Sequence, residues 1–216
     1  MSIAYDCTDP DSRSAGIAAA RAALKGGHLV VMPTDTLYGI GCDAFDNRAV
    51  ADLLAAKHRG PDMPVGVLVG SWDTIDGLVS RVSPAARELT HAFWPGAVSL
   101  VVEQAPSLAW NLGDTRGTVM LRMPLHPVAI ELLREVGPMA VSSANVSGKP
   151  PAATMTDARD QLGDSVEVYL DGGPAEHAVA STIVDLSGPQ PRVLREGAVT
   201  TARVAEVLGV SVESLA

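Results

Sequence analysis

Short apolar runs alternate along this chain with segments in which apolar residues recur every three or four positions. Apolar runs bounded by turn residues are typical of buried strands, and the second spacing is typical of helices that bury one face. The predicted strands cover residues 29–32, 65–69, 98–103, 119–123, 139–142, 166–170 and 182–186. The predicted helices cover residues 14–24, 48–59, 72–79, 84–93, 126–135, 156–162 and 202–208. This alternation predicts an α/β fold.

Turn and capping residues mark several of the predicted boundaries. Ser12 or Ser14 suits the N-cap of the first helix, residues 26–27 are two glycines that would end it, and Asn47 suits the N-cap of the second. The strands and helices do not alternate strictly, so we expect a mixed sheet rather than a purely parallel one. Residues 104–117 are rich in turn residues and are predicted to form a long loop.

Length and composition are those of one globular domain. The chain has 216 residues, of which 47% are hydrophobic and 19% charged, so a large core is expected within a single domain of residues 1–216. No apolar run approaches the roughly 18 residues of a membrane helix, and the N-terminus lacks the apolar segment of a signal peptide. Cys7 and Cys42 have no metal-site or disulfide-framework spacing, which favours the cytoplasm.

The charge balance limits the classes of partner. The formal net charge is −9, whereas nucleic-acid-binding proteins usually carry a basic face. The balance therefore argues against binding over the whole surface, although it leaves room for a local basic pocket.

Polar clusters follow the predicted strands or lie just beyond a helix end. They occupy residues 33–36, 57–59, 121–126 and 141–148, and a fifth pair is formed by Ser181–Thr182 and Arg195. Ligands of open α/β sheets bind outside the carboxyl ends of strands. Because the clusters together supply hydroxyls, Arg and Lys, they indicate a site for a polyanion.

Each cluster also has an ordinary structural interpretation. Residues 33–36 (PTDT) suit a capped turn, and Lys57 and Arg59 suit a helix C-terminus, where cations complement the helix dipole. Residues 142–148 (SSANVSG) suit either an anion nest or an ordinary turn. Arg122 is different, since a charge between apolar neighbours at a strand end needs a partner. His126, near a predicted helix start, is interpreted as structural.

Several common catalytic and phosphate-binding motifs are missing. No GxxxxGK[ST] sequence occurs, and no GxSxG surrounds Ser142 or Ser143. Residues 39–44 (GIGCDA) match GxGxxA, but six residues separate Met32 from this segment, whereas the dinucleotide-binding motif turns directly from strand to helix. About twenty residues on, Asp62 does not close a second strand. A P-loop protein, a Rossmann domain and a serine hydrolase are therefore disfavoured.

Taken in order, seven segments resemble one family closely. KGGHLVVMPTDTLYGIGCDA, KHRGPDMP, FWPGAVSLVV, VMLRMPLH, AVSSANVSGKP, ASTIVDL and VLREG are similar to motifs of the YrdC/Sua5 family of L-threonylcarbamoyladenylate synthases. The resemblance covers residues 12–200, with a C-terminal helix at about 201–209. It implies the short single-domain form of the family, with a YrdC-like fold in which a twisted mixed sheet is flanked by helices and carries a concave basic pocket.

The resemblance implies a two-part reaction. The amine of L-threonine captures bicarbonate to give a carbamate, whose oxygen attacks the α-phosphate of ATP and releases pyrophosphate. A partner transferase complex then passes the threonylcarbamoyl group to an adenosine beside the anticodon of tRNA. ATP would arrive as its Mg²⁺ complex, with no tightly bound cofactor and no protein-held metal. Weak direct contact with tRNA is compatible with the resemblance, and a membrane is not involved.

The resemblance also implies the site residues. The residues expected to bind ATP are Lys57, Arg59, Ser143, Asn145 and Arg195, of which Lys57 and Arg59 would be catalytic. The residues expected to bind L-threonine and its carbamate are Thr34, Arg122 and Ser181. Arginine suits both tasks because its planar fork pairs with carboxylates and phosphates.

Three positions depart from the family pattern. Met63 stands where a lysine is frequent, which leaves one phosphate contact missing or supplied elsewhere, and Ser99 replaces a threonine but keeps the hydroxyl. Glu196 replaces the proline of RPG and leaves the approach of Arg195 open.

Two alternative functions remain. An RNA-binding module of the same fold would lack nucleotidyl transfer, and the acidic net charge argues against it. A carbamoyltransferase of the hydrogenase-maturation type contains a related domain, but such chains are much longer and carry zinc-finger and acylphosphatase segments that this sequence lacks.

Overall fold

A computed structural model describes residues 2–175 and 178–216 of the chain. The strands are β1 (Ile3–Asp6), β2 (Val30–Met32), β3 (Gly39–Asp43), β4 (Gly66–Leu68), β5 (Val98–Glu103), β6 (Thr118–Arg122), β7 (Met139–Ser143), β8 (Val168–Asp171), β9 (Thr182–Asp185) and β10 (Arg192–Arg195). The helices are α1 (Pro10–Lys25), α2 (Asn47–Ala56), α3 (Thr74–Leu78), α4 (Pro84–Phe93), α5 (Pro127–Val136), α6 (Met155–Leu162) and α7 (Thr201–Leu208). Short 3₁₀ turns cover Gly163–Ser165 and Val212–Leu215.

The described strands form one mixed sheet in the order β1-β8-β2-β3-β7-β4-β6-β5-β9-β10. The pairs β1/β8, β8/β2, β4/β6 and β5/β9 are parallel, and the other neighbours are antiparallel. The prediction of an α/β fold with a mixed sheet flanked by helices is confirmed.

Two apolar clusters bury the two faces of the sheet. One includes Ile17 of α1, Val30 of β2 and Leu132 of α5. The larger one includes Leu53 of α2 and Leu100 of β5. Because successive strand side chains point to opposite faces, β2, β4, β7 and β8 contribute to both clusters, whereas β3, β5, β6 and β9 contribute buried residues to the larger cluster alone. The central strands are thereby fixed, and the loops between them start from rigid ends.

Three strands escaped the sequence prediction for identifiable reasons. β1 and β10 are the two edges of the sheet and are mostly exposed, so neither contains the apolar run that indicates a buried strand. β3 (GIGCD) carries two glycines in five residues. An added Cβ at Gly41 would lie 2.8 Å from Val141 Cγ2, so close packing against β7 requires a residue without a side chain there.

The position of β3 in the sheet also shows what the GxGxxA match at residues 39–44 represents. Residues 39–43 form a strand antiparallel to β2, with Met32 opposite Gly39, so the glycines lie within a strand and not in a turn between a strand and a helix. The segment is therefore no dinucleotide-binding turn.

Two predicted caps were wrong by one to five positions. The N-cap of α1 is Asp9, whose carboxylate accepts a hydrogen bond from Ser12 N, rather than Ser12 or Ser14. The N-cap of α2 is Asp46 rather than Asn47. Both errors arise because a cap accepts from an amide two or three positions on, so adjacent Asp, Asn and Ser compete for the role.

Within residues 2–175 and 178–216, no helix is long and apolar enough to span a membrane.

Candidate functional site

A cavity of about 240 Å³ lies against the middle of the sheet. Its wall is built from the β2–β3 loop, the ends of β7 and β4, the end of β6, and residues of β5, β9 and β10. We call it the central cavity. It is lined by Thr34, Thr36, Leu37, Tyr38, Gly39, Arg59, Pro64, Val65, Gly66, Val67, Leu68, Ser99, Met120, Arg122, Val141, Ser142, Ser143, Pro151, Ala180, Ser181, Ile183 and Arg195.

Six of the eight site residues expected from the sequence line this cavity. They are Thr34, Arg59, Arg122, Ser143, Ser181 and Arg195. The other two, Lys57 and Asn145, are buried beside it and do not line it. Segments as distant in sequence as residues 34 and 195 therefore meet at one place.

Three guanidinium groups face the central cavity, and they are unequally paired. Within the described residues, Arg122 forms an ion pair with Asp35, whereas no carboxylate pairs with Arg59 or Arg195. Desolvation lowers the pKa of each of these arginines, and Arg195 adds to the effect at Arg122. Charges that have lost water and lack a counter-ion favour an anionic ligand.

Arg122 is held in one orientation by three protein oxygens. Its Nε donates to the Gly96 carbonyl at 2.9 Å, its Nη1 to Thr36 Oγ1 at 2.9 Å, and its Nη2 to Asp35 Oδ1. Asp35 Oδ1 also accepts from the Leu125 amide at 3.0 Å. These bonds use three of the five N–H donors of a guanidinium and leave two for a ligand.

The PTDT segment is both a turn and part of the cavity wall. The Thr34 hydroxyl donates to the Leu37 carbonyl at 2.6 Å and accepts from the Thr36 and Leu37 amides at 3.2 and 3.3 Å. Thr34 is 6% exposed and lines the cavity. Its one proton is directed to Leu37 and its oxygen accepts from two amides, so the hydroxyl holds the turn in place at the cavity wall.

The KHR segment ends α2 in a Schellman motif. The His58 amide donates to the Ala55 carbonyl at 2.9 Å and the Arg59 amide to the Leu54 carbonyl at 2.9 Å. His58 adopts a φ of 53°, the left-handed conformation that glycine usually supplies. This turn gives Lys57 and Arg59 different surroundings, since Lys57 is buried whereas Arg59 lines the cavity.

Arg59 is oriented by two serines of the SSANVSG segment. Its Nε donates to Ser147 Oγ at 2.8 Å and its Nη1 to Ser142 Oγ at 3.1 Å. Both serines lie more than 80 positions away in sequence, so local patterns gave no reason to connect them with Arg59. Their only sequence signal was their place within the AVSSANVSGKP motif.

The SSANVSG segment is a turn and not an anion nest. The amides of residues 144 to 147 donate to Tyr38 O, Ser143 O, Gln161 Oε1 and Lys57 O respectively. Because these four N–H groups have protein partners, the segment offers its hydroxyls, not its backbone, to the cavity.

At the far end of the cavity, hydroxyls accompany the third guanidinium. Arg195 Nε and Nη2 donate to the Ser181 carbonyl at 3.1 and 2.7 Å. Ser99 Oγ lies 3.0 Å from Ser181 Oγ, and Ser99 also lines the cavity. The serine that replaces the family's threonine thus places a hydroxyl beside Ser181.

The other two departures from the family pattern, Glu196 and Met63, lie outside the lining of the central cavity. Glu196 accepts from the amide and hydroxyl of Thr201 at 2.7 and 2.6 Å, which lowers the pKa of this carboxyl and stabilises the start of α7. Met63 is 40% exposed and does not line the central cavity.

Among residues 2–175 and 178–216, no group of three or more His, Cys, Asp or Glu side chains could hold a metal ion. The described lining of the central cavity likewise includes no Asp, Glu, His or Cys. Its chemistry is that of cations, hydroxyls and apolar groups.

Comparisons with known proteins point to one family. A family model described as "Telomere recombination", named for Sua5, YciO and YrdC, matches residues 22–197. A Mycobacterium tuberculosis (strain H37Rv) protein provisionally named a threonylcarbamoyl-AMP synthase is 69% identical over 215 residues, covering 100% of this chain and 99% of that protein. The Bacillus subtilis threonylcarbamoyl-AMP synthase is 35% identical over 195 residues, covering 89% of this chain and 56% of that one.

A solved structure shows the same similarity in three dimensions. The crystal structure of Pyrococcus abyssi Sua5 complexed with L-threonine matches with a TM-score of 0.90 at 30% identity. The match covers 97% of this chain and 61% of that one, so this chain spans less than two thirds of the length of the Pyrococcus abyssi protein.

Proposed function

This chain belongs to the Sua5/YciO/YrdC family, and from that premise we propose that it is an L-threonylcarbamoyladenylate synthase. The observation that carries the proposal is the central cavity, where Arg59, Arg122 and Arg195 converge in a chain of net charge −9. Such a concentration of guanidinium groups suits the several anionic groups of ATP, L-threonine and bicarbonate.

The proposed reaction has two steps. The amine nitrogen of L-threonine forms a bond to the carbon of bicarbonate, and water leaves to give the carbamate. A carbamate oxygen then bonds to the α-phosphorus of ATP while the bond from that phosphorus to the β-bridging oxygen breaks. The products are threonylcarbamoyl-AMP and pyrophosphate.

Arg59 and Arg195 are proposed to bind ATP. Both lack a carboxylate partner among the described residues, and both keep N–H donors beyond those that hold them to serine oxygens. Charge develops on phosphoryl oxygens as pyrophosphate leaves, so fixed guanidinium groups stabilise the transition state more than the ground state. Ser143 would add a neutral hydrogen bond from the same wall of the cavity. Lys57 and Asn145, also expected to serve ATP, lie behind that wall.

Arg122 and Thr34 are proposed to bind L-threonine, together with Ser181. The two remaining N–H donors of Arg122 suit a substrate carboxylate, and Thr34, which lines the cavity 3.1 Å from Thr36 Oγ1, would pack against the bound substrate. Ser181 lies beside Arg195, where the carbamate would meet the nucleotide. No residue of the described lining is an obvious general base, so positioning and charge are proposed to supply the catalysis.

ATP would enter as its Mg²⁺ complex, with the metal as part of the substrate. The product would be consumed by a transferase complex that modifies tRNA. We place the reaction in the cytoplasm, in keeping with Cys7 and Cys42, which are buried free thiols.

The test is an omission experiment. Pyrophosphate release from ATP is measured with L-threonine and bicarbonate together and with each left out, and the adenylate product is identified by mass spectrometry. We expect release only when both are present. Release that persists without either one would contradict the proposal.

A further inference from the structure

Lys57 differs from the other cations of the site in that it is sealed off from the cavity. It is the C-cap of α2, its side chain is fully buried, and it does not line the central cavity. Arg59, two positions on, does line it. The left-handed turn at His58 separates the two.

The ammonium group of Lys57 is directed at one loop. It donates to the Ser143 carbonyl, to the Asn145 carbonyl at 2.6 Å, and lies 3.5 Å from Asn145 Oδ1. An ammonium has three N–H donors, and these three oxygens account for them. The Lys57 carbonyl in turn accepts from the Ser147 amide at 3.0 Å, so Lys57 binds the loop at both its side chain and its backbone.

The same loop carries one of the two hydroxyls that orient Arg59. Residues 143–149, which we call the anchor loop, include Ser147, whose hydroxyl accepts from Arg59 Nε. Asn145 closes the loop by donating from Nδ2 to the Val146 and Lys149 carbonyls at 3.0 and 2.8 Å. Gln161 of α6 holds it from outside through the Val146 amide and the Pro150 carbonyl.

We propose that Lys57 is a positioning residue that fixes the anchor loop, and thereby Arg59, and that it does not itself contact the phosphates of ATP. This inference rests on the proposed function for its kinetic consequence but not for the placement of the side chain. Freeing the ammonium to reach a phosphate would leave the Asn145 carbonyl without its donor and remove one of the two donors to the Ser143 carbonyl, which is costly.

The electrostatic surroundings agree with that assignment. Within the described residues Lys57 has no carboxylate partner, and burial together with Arg59 lowers its pKa to about 7. Surroundings that offer carbonyl oxygens and no carboxylate suit a lysine that acts through hydrogen bonds to the loop.

The placement is tested on the unmodified protein by NMR of isotope-labelled lysine. The chain has only three lysines, and Lys25 and Lys149 are exposed, so the spectrum is simple and Lys25→Arg and Lys149→Arg assign it. At about pH 6 we expect a slowly exchanging ammonium signal for Lys57 alone, without nucleotide. If all three ammonium groups exchange rapidly, Lys57 faces water and the proposal is wrong.

The role is tested by amide hydrogen exchange of the unliganded protein. Lys57→Met should speed exchange at Asn145, Ser147 and Lys149 by about tenfold, because the loop loses its buried donors. Lys149→Met, the same change on the exposed side of the loop, is the matched control and should leave these amides unchanged. Unchanged exchange in Lys57→Met would show that the lysine does not hold the loop.

Steady-state kinetics separate positioning from general stability. In Lys57→Met the KM for ATP should rise about tenfold while the KM for L-threonine stays within about twofold, since the Arg122 side of the cavity is untouched. Gln161→Ala removes the loop's other anchor, so it should also speed amide exchange in the loop and raise the KM for ATP. This variant keeps the proposal testable if Lys57→Met does not fold. Faster loop exchange in Gln161→Ala with an unaltered ATP KM would overturn the proposal.

The NMR and exchange measurements test the role of Lys57 independently of the proposed enzymatic function. A wild-type protein without synthase activity would contradict that function, whereas the NMR and exchange results would still decide whether Lys57 holds the anchor loop.

Discussion

Arg59 combines every feature expected of a group that stabilises a transferring phosphate. It lines the central cavity, is held by two serine hydroxyls, and has no carboxylate partner among the described residues. We expect Arg59→Ala to lower kcat/KM by about a hundredfold to a thousandfold, the usual effect of removing one preorganised donor. The measurement is pyrophosphate release at saturating L-threonine and bicarbonate.

Arg48→Ala is the matched control for this variant. Arg48 is an exposed arginine near the start of the same helix, so the substitution removes a charge of the same kind without touching the cavity. Both proteins should unfold at the same denaturant concentration as the wild type. Full activity in Arg59→Ala would show that Arg59 does not contribute to the reaction.

Asp35 is expected to act on Arg122 rather than on a ligand. It pairs with the Arg122 Nη2 and does not line the cavity. In Asp35→Asn the buried guanidinium loses its counter-ion, so the free energy of unfolding should fall by about 2 kcal/mol. The KM for L-threonine should rise about tenfold as the guanidinium loses its fixed orientation.

Urea denaturation and threonine-dependent kinetics check this prediction, with Asp52→Asn as the control because Asp52 is an exposed carboxylate on α2. An Asp35→Asn protein with wild-type stability would show that the ion pair does not matter in solution.

Motif residues could be predicted individually, but their neighbours could not. The motifs in the sequence predicted eight site residues, and six of them line the central cavity. It could not show that Lys57 is turned away while Arg59 is not, since that depends on a single left-handed residue between them. Nor could it connect Arg59 with Ser142, because that contact joins segments 83 positions apart.

At the scale of elements, the turn that ends α2 determines the different directions of the Lys57 and Arg59 side chains. The Schellman motif requires a positive φ at His58, a conformation that costs an ordinary side chain about 1–2 kcal/mol. We expect His58→Val to lower the free energy of unfolding by roughly 1 kcal/mol, because a β-branched residue fits this conformation poorly. His58→Gly should be at least as stable as the wild type.

Thermal or urea unfolding of the three proteins measures this order. His58 is exposed, so lost packing cannot account for a difference. If His58→Val equals His58→Gly in stability, the turn is not under the stated constraint.

The elements themselves were largely predictable, and the exceptions share a cause. Every strand with an apolar run was found, because burial on both faces leaves such a run in the sequence. β3 was not, since its glycines serve close packing against β7 and carry no strand signal of their own. β1 and β10, as exposed edges, are defined by pairing with β8 and β9 rather than by composition.

At the scale of the whole molecule, the charge is acidic overall and basic at one place. A net charge of −9 repels the phosphates of RNA, whereas three guanidinium groups in a small cavity attract a small anion. We therefore expect bare tRNA to bind no more tightly than about 10 µM at physiological salt, the range of non-specific contact.

A binding titration of tRNA at several salt concentrations checks this, with ATP binding to the same preparation as the positive control. Tight tRNA binding that weakens steeply with salt would favour the RNA-binding alternative instead.

The central claim is that one cavity brings L-threonine and ATP together, and a crystal structure of the protein with L-threonine and a non-hydrolysable ATP analogue tests it most directly. We expect the threonine carboxylate within hydrogen-bonding distance of Arg122 and the phosphates at Arg59 and Arg195, with the Lys57 ammonium still bound to the anchor loop. Ligands bound outside the central cavity, or phosphates without contact to Arg59 and Arg195, would contradict the account.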